Sequence, residues 1–109
     1  MVTSRQKRRE AVFRAIADPT RRDILELLRG SPRTVGEIAG NFRMSRPAIS
    51  KHVGVLRSAG LVMTRKDRSM RLCELNAKPL QVVDDWLREY AAFWATSLRD
   101  LKNYVEEKQ

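Results

Sequence analysis

The chain has 109 residues, 42% of them hydrophobic, which suffices for one domain with a modest core. Its 22 Lys and Arg residues outnumber 13 Asp and Glu and give a formal net charge of +9, which indicates a nucleic-acid partner or an anionic membrane surface. No stretch approaches the ~20 apolar residues that span a bilayer, the polar and basic N-terminus lacks the apolar segment of a signal peptide, and the single cysteine excludes an internal disulfide, so we expect a cytoplasmic, nucleoid-associated protein.

The first predicted helix begins in a basic run. The run comprises Arg5, Lys7, Arg8 and Arg9, and the apolar face that follows comprises Val12, Phe13 and Ile16. Such a run can be an arm that contacts DNA phosphates or simply the solvated start of a helix. We favour the solvated start.

A second helix is predicted to begin at Asp18, as N-cap, and Pro19, and to end with a left-handed cap at Gly30. Arg21 and Arg22 lie in its first turn, where the helix dipole disfavours cations. We therefore expect a specific partner for at least one of them, either an internal carboxylate or a phosphate.

Residues 34–60 read as two short helices joined by a turn at Arg43 and Met44. Ser45 is placed to cap the second helix, and Pro47 suits its first turn. The apolar stripe of that helix comprises Ile49, Val53 and Leu56. Its outer face is small, polar and cationic, with no carboxylate, which suits close approach to DNA. The alternative is a surface helix that lacks acids by chance.

Two short strands are predicted next, at residues 61–65 and 70–75. A hairpin directly after such a helix is the wing of a winged helix-turn-helix. Its cations are Arg65, Lys66, Arg68 and Arg71. They can protect the exposed strand edges, contact phosphates or the minor groove, or do both.

The last predicted element is one helix over residues 80–105 with a stripe of large apolar side chains. In so small a domain this stripe exceeds what one core can cover, so we expect a symmetric dimer contact. A purely intramolecular core helix is the alternative. The residues predicted to line the dimer contact are Val12, Val83, Trp86, Leu87, Tyr90, Phe93, Trp94, Leu98 and Leu101.

The sequence resembles the ArsR-type winged-helix transcriptional regulators. The resemblance depends on residues 12–25, which include Asp-Pro-Thr-Arg-Arg, and residues 45–52, Ser-Arg-Pro-Ala-Ile-Ser-Lys-His, together with residues 56–62. It implies a mainly α fold with a small β-hairpin and a long C-terminal dimerisation helix. It also implies a homodimer, formed by the first and last helices, that binds an inverted repeat and represses transcription.

Where the chain departs from its apparent relatives, it lacks their metal ligands. The helix before the DNA-reading helix carries no Cys-x-Cys pair, and the last helix carries acids but no histidine. We therefore expect neither a metal nor another cofactor, and we place the chain in the non-metal branch, whose members often repress their own genes. Relatives often have glycine at the positions of Arg43 and Arg68, so either residue can carry backbone strain if it keeps a positive φ.

Three further residue types offer weaker signals. His52 lies at the margin of the buried stripe, and a packing role is favoured over a DNA contact or proton sensing. Cys73 is expected to be half-buried in a strand rather than a redox switch. Adjacent Asp84 and Asp85 diverge by about 100° on a helix and do not form a catalytic pair, so no enzyme is predicted.

These observations predict a single winged helix-turn-helix domain over residues 1–109 that binds double-stranded DNA as a homodimer, with no membrane partner. The residues expected at the DNA are Thr34, Ser45, Arg46, Pro47, Ser50, Lys51, His52, Arg65, Lys66, Arg68 and Arg71. Two alternatives remain: a ligand- or thiol-responsive regulator, and a protein-interaction module that uses the aromatic C-terminal helix.

Overall fold

The structure is a computed structural model that describes residues 2–108. The two end residues of the predicted domain, Met1 and Gln109, lie outside the described residues. The helices within this range are α1 (Ser4–Ile16), α2 (Pro19–Gly30), α3 (Val35–Ala39), α4 (Arg46–Ser58), α5 (Gln81–Arg88) and α6 (Ala91–Glu107). A hairpin of β1 (Val62–Asp67) and β2 (Met70–Leu75) follows α4, and a 3₁₀ turn (Lys78–Leu80) leads into α5. No helix of residues 2–108 is long and apolar enough to cross a membrane.

Local capping chemistry fixes where α2 and α4 begin. Asp18 Oδ2 accepts from the backbone N–H three residues further on at 3.0 Å, and Ser45 Oγ accepts from the equivalent N–H of α4 at 3.3 Å. Pro19 and Pro47 occupy the first turns, where a missing N–H leaves no hydrogen bond unmade. Both predicted helix starts are confirmed.

The predicted left-handed cap at Gly30 is wrong. Gly30 is the last residue of α2, and the chain leaves it directly in extended conformation at Ser31, so no reversal of direction is required there. The glycine that does adopt a positive φ, +80°, is Gly60 after α4. There the chain turns sharply into the hairpin.

The core lies where α1 to α4 meet the base of the hairpin. Its largest fully buried side chains are Ile24, Ile38, Ile49, Leu56, Leu61, Val53, Val62 and Cys73. The predicted apolar stripe of α4 is therefore confirmed. Val12, expected at the dimer contact, is only 2% exposed and packs in this core. That assignment is wrong, because a side chain already enclosed by its own protomer offers no surface to a partner.

Arg21 and Arg22 at the start of α2 bind the C-terminal carbonyl groups of α1. Arg21 Nε donates to the carbonyl oxygen of Ala15 at 2.7 Å, and its Nη2 donates to that of Arg14 at 3.0 Å. Arg22 Nη1 donates to the next two carbonyl oxygens, at 2.8 and 3.1 Å. Their partner is therefore the negative end of α1, a third possibility beside the carboxylate and phosphate considered from sequence.

The two strands pair in antiparallel register from Val62 opposite Leu75 to Asp67 opposite Met70, which leaves a two-residue turn. The predicted hairpin is confirmed, with β1 extending two residues further than expected. At its base a third segment joins the sheet: the N–H of Arg33 donates to the carbonyl of Cys73 at 3.0 Å, and the N–H of Cys73 donates back at 2.7 Å.

Arg68, the first residue of the hairpin turn, has a φ of +59°. This left-handed conformation costs a residue with a Cβ about 1 kcal/mol relative to glycine, as the resemblance led us to expect. The parallel expectation for Arg43 is wrong, since Arg68 is the one non-glycine residue of the described range with positive φ. After α3 the chain continues in right-handed turns through Asn41 and Phe42, so the α3–α4 connection needs no left-handed residue.

The C-terminal region is two helices, and the single helix predicted over residues 80–105 is wrong. At Glu89 and Tyr90 the backbone stays right-handed, but hydrogen bonds spanning three residues replace the helical ones. Trp86 holds α5 in place, because its indole makes edge-to-face contacts with the rings of Phe13 and Tyr90. The distances between ring centroids are 5.5 Å and 5.4 Å, respectively.

No residue of α6 is buried, and its main packing neighbour is α5. The helix therefore extends away from the body of the protomer, whose principal extents are 63 × 42 × 24 Å.

Candidate nucleic-acid interface

One side of α4 is fixed in the core, which leaves the opposite side free to contact a ligand. Ile49, Val53 and Leu56 anchor the helix, and each is at most 1% exposed. Arg46, Pro47, Ser50 and Lys51 are all exposed. Since α4 carries no carboxylate, the charge that it presents to solvent is entirely positive.

A cleft of about 480 Å³ separates α4 from the hairpin, and it brings together predicted residues from three elements. Thr34, Arg46, Ser50 and Arg71 all line it, together with Arg57, which sequence reasoning missed. The sequence did contain a signal for Arg57, because positions 46, 50 and 57 fall within about 40° of one another on a helix and so share one face. No acidic side chain lines the cleft. Three guanidinium groups thus face a space that no carboxylate neutralises.

Lys51 lies on a different side of α4 from Arg46. It lines a shallow groove between α4 and α1, together with Gly54, Ser58 and Arg14. Arg14 is a second residue that sequence reasoning missed, because it joins this surface only through the packing of α1 on α4. Cations therefore flank the exposed face of α4 on both sides.

The hairpin cations differ in how far they are neutralised. Arg65 Nε lies 3.3 Å from Glu74 Oε2 on the neighbouring strand. Lys66 and Arg71 face each other directly across the strands, and neither these two nor Arg68 forms an ion pair within residues 2–108. Like charges directly opposite each other destabilise a hairpin unless an anion lies between or near them. This arrangement favours phosphate binding.

His52 is turned toward α2. Its Nδ1 lies 3.3 Å from Arg21 Nη1 and 3.9 Å from Asp18 Oδ2. An arginine can only donate, so Nδ1 is the acceptor in this pair and the neutral ring carries its proton on Nε2. The geometry agrees with the packing role favoured from sequence. The pKa of Asp18 is lowered, chiefly by the hydrogen bond from the backbone N–H of Arg21 and further by the charge of Arg21.

Thr34 caps α3 at the edge of the cleft. Its Oγ1 accepts from the N–H of Glu37 at 3.1 Å, and the Glu37 carboxylate accepts in return from the N–H of Thr34 at 3.0 Å. The pKa of Glu37 is lowered, chiefly by the hydrogen bond from the backbone N–H of Thr34 and further by the Thr34 side chain.

Comparison with known proteins agrees with this geometry. Residues 18–64 match the sequence profile of the family described as "Bacterial regulatory protein, arsR family". The chain is 39% identical over 79 residues to the transcriptional repressor SdpR of Bacillus subtilis, covering 72% of this chain and 88% of that protein. The chain belongs to the ArsR family.

Solved structures of ArsR regulators share its winged helix-turn-helix fold. The crystal structure of the ArsR family transcriptional regulator RHA00566 matches with a TM-score of 0.73 and 35% identity, covering 87% of this chain and 97% of that one. The homodimeric winged helix-turn-helix domain of Mb0332 from Mycobacterium bovis, a possible ArsR-family regulator, matches with a TM-score of 0.63 and 27% identity over 77% and 84% of the two chains. The predicted family and fold class are confirmed.

As in the sequence prediction, this ArsR chain carries a large apolar surface on its C-terminal helices. The most exposed of its large side chains are Phe93, Trp94, Leu98, Leu101 and Tyr104, all between 52% and 68% exposed. Trp86 and Tyr90 are more than a third exposed, whereas Val83 and Leu87 are half-buried within the protomer. Exposed apolar area on this scale is typical of a partner surface.

Cys73 is more deeply placed than predicted. Its thiol is 1% exposed instead of half-buried, and burial raises its pKa, so the reactive thiolate is disfavoured. Within residues 2–108 no three His, Cys, Asp or Glu side chains cluster in a way that would hold a metal ion.

Proposed function

We propose that the protein is a transcriptional repressor that binds an inverted-repeat operator as a homodimer, without a metal sensor site, and that it represses its own gene. The observation that carries the proposal is the cleft between α4 and the hairpin, where Arg46, Arg57 and Arg71 converge without an acidic neighbour. Guanidinium groups in this setting suit phosphate oxygens and guanine edges, which they can bind through two parallel hydrogen bonds.

In this proposal the N-terminal half of α4 enters the major groove. Ser45, Arg46, Ser50 and Lys51 face the bases, with Arg46 or Lys51 reading a guanine. The hairpin cations and Thr34 contact the flanking phosphates, and His52 orients α4 from its inner side. Contacts to the bases specify the sequence, whereas contacts to the phosphates fix the register and the affinity.

Dimerisation uses the exposed apolar surface of α5 and α6, centred on Trp94, Leu98 and Leu101. Each Å² of apolar surface that the dimer contact removes from water stabilises the dimer by about 25 cal/mol. A two-fold axis would place two α4 helices about 34 Å apart, which is one turn of duplex DNA. The homodimeric state of the Mb0332 domain supports this arrangement.

The absence of a metal sensor is supported by how the potential ligands are distributed. The only histidine and the only cysteine, His52 and Cys73, lie on different elements, and Nδ1 of His52 is already engaged by Arg21. Sites for transition metals need several such ligands around one point. The burial of Cys73 also disfavours the alternative of a thiol-responsive regulator.

Selection of bound sequences from random duplex DNA with the purified protein tests the proposal. We expect an enriched inverted repeat, with half-sites one helical turn apart, that also occurs upstream of the protein's own gene. Recovery of no common sequence at low salt would refute sequence-specific repression. An enriched sequence absent from that upstream region would refute autorepression alone.

Fluorescence anisotropy with the selected duplex then tests the residues. Lys51→Ala is expected to weaken binding about tenfold, the effect of a 1–3 kcal/mol contact. Lys102→Ala is the matched control, since this exposed α6 lysine pairs with Glu106 at 3.9 Å away from α4. Equal affinities for both variants would exclude Lys51 from the interface.

The protein-interaction module remains the competing function, because the same apolar surface of α6 could bind a different protein. Sedimentation equilibrium separates the two. A dimer at micromolar concentration supports the repressor, whereas a monomer with its apolar surface exposed would favour the interaction module.

A further inference from the structure

A second groove, away from the α4–hairpin cleft, combines an apolar floor with a cationic rim. It has a volume of about 550 Å³ and lies between the first turns of α1, the C-terminal end of α4 and the start of α5. Ala11, Ala59, Pro79 and Val82 contribute to the floor. Arg5, Lys7, Arg8 and Arg9 form the rim. We call it the α1–α4 groove, and its volume is within the range of ~300–1,000 Å³ typical of small-molecule sites.

The four cations of the rim form no ion pair within the described residues, unlike three exposed cations on other helices. Arg29, Arg88 and Lys102 each pair with an acid three or four residues away on their own helix. Arg5, Lys7, Arg8 and Arg9 form no ion pair within residues 2–108. No acidic side chain lines the groove. Asp85 lines a smaller adjoining pocket with Arg5 and Arg9, but four cations face this one carboxylate, so net positive charge remains available to an anion.

The floor and the rim together define the chemistry of the occupant. An apolar chain laid on the floor removes apolar area from water, which a phosphate backbone or a small inorganic anion cannot do. A carboxylate at the end of that chain can accept paired hydrogen bonds from an arginine of the rim. The long arginine stems add further apolar walls while their charged ends stay in water.

We propose that the α1–α4 groove binds a single-chain amphiphile with an anionic head group. The site lies at the Ser58–Gly60 end of α4, whereas the residues proposed to read DNA lie at its Ser45–Lys51 end. An α-helix of 13 residues is about 20 Å long, so the amphiphile and the bases of the operator lie at opposite ends of the same helix. The inference is independent of the proposed function.

Calorimetric titration of the full chain with sodium dodecanoate, below the concentration at which it forms micelles, tests the site. We expect saturable binding of one dodecanoate per protomer. Dodecyltrimethylammonium has the same tail with a cationic head and should bind at least about tenfold more weakly. Sodium butyrate, which has the head group without the tail, should give no measurable binding.

The double variant Arg5→Gln/Arg8→Gln locates the binding. Both side chains are exposed, so the fold should be retained, which far-UV circular dichroism checks. We expect the dissociation constant for dodecanoate to rise at least about tenfold, since charge-assisted hydrogen bonds are lost. Arg29→Gln is the control: it removes an exposed cation from α2 and should leave the dissociation constant within about twofold.

Three results would overturn the proposal: no saturable binding, equal affinity for the anionic and cationic amphiphiles, or unchanged affinity in the Arg5→Gln/Arg8→Gln variant. Dissociation of a dimer by dodecanoate, seen by light scattering, would also overturn it, because a second copy of the chain would then occupy the groove. DNA binding is measured separately. A chain that binds dodecanoate but no operator refutes the proposed function, and the converse refutes only this site.

Discussion

Replacing Arg21 by methionine tests whether one side chain holds α1 and α2 together. Methionine keeps the apolar stem and removes the donors that reach the carbonyl oxygens of Ala15, at 2.7 Å, and Arg14, at 3.0 Å. A hydrogen bond from a charged donor contributes about 1.5–3 kcal/mol, and a cation at a helix C-terminus about 0.3–1 kcal/mol. Because the outer bond is exposed, we expect the free energy of unfolding to fall by about 2–3 kcal/mol.

Urea denaturation at fixed protein concentration measures this loss, because oligomerisation makes apparent stability depend on concentration. Trp86 reports the transition, since its indole contacts Phe13 on α1. We expect a lower midpoint with an unchanged slope. Arg29→Met is the control, because this exposed arginine pairs only with Glu26, and it should cost less than about 0.5 kcal/mol. An effect of Arg21→Met as small as that of the control would refute the reasoning.

Four further variants test individual contacts. Arg57→Ala should reduce the salt dependence of operator binding by about one unit of slope without changing site preference, and an unchanged slope in anisotropy titrations would exclude a phosphate contact. Arg68→Gly should raise the free energy of unfolding by about 1 kcal/mol in urea titrations, because it relieves a φ of +59°; a decrease would show that the turn is unstrained. The pKa of Asp18 is lowered in the folded state, so the ionised carboxylate stabilises the fold above its unfolded pKa, and this stabilisation is lost as pH falls through the folded pKa. On acidification the urea midpoint of Asp18→Asn should therefore fall less than that of the wild type. An equal fall of the two midpoints would contradict this. Leu98→Glu should yield a monomer with intact helical circular dichroism in multi-angle light scattering, and a persistent dimer would exclude α6 from the contact.

The features that sequence predicted well depend on chemistry within a few residues. Asp18 and Pro19, and likewise Ser45 and Pro47, specify a helix start through one side-chain acceptor and one ring in the first turn. The buried stripe of α4 follows from periodicity alone. For the same reason the exposed and cationic side of α4 follows directly from the order of its residues.

The features that sequence did not predict depend on how distant elements pack. The partners of Arg21 are carbonyl groups that become available only once α1 ends beside α2. The break at Glu89 and Tyr90 contains neither proline nor glycine, so no local signal marks it. Val12 has the same apolar character as a contact residue, and only the arrangement of the helices shows that it is buried. Arg14 joins the α4 surface through that same arrangement.

The reciprocal bonds between Arg33 and Cys73 make the root of the wing mechanically stiff. Two short backbone bonds, of 3.0 and 2.7 Å, tie β2 to the residue that directly precedes Thr34, the cap of α3. These bonds resist motion at the base of the hairpin, while the outer strand positions remain free to twist. Amide exchange should show this division: slow exchange at the two bonded amides and fast exchange at the turn. The outer half of the hairpin can thus bend about this bridge, and the position of α3 stays unchanged.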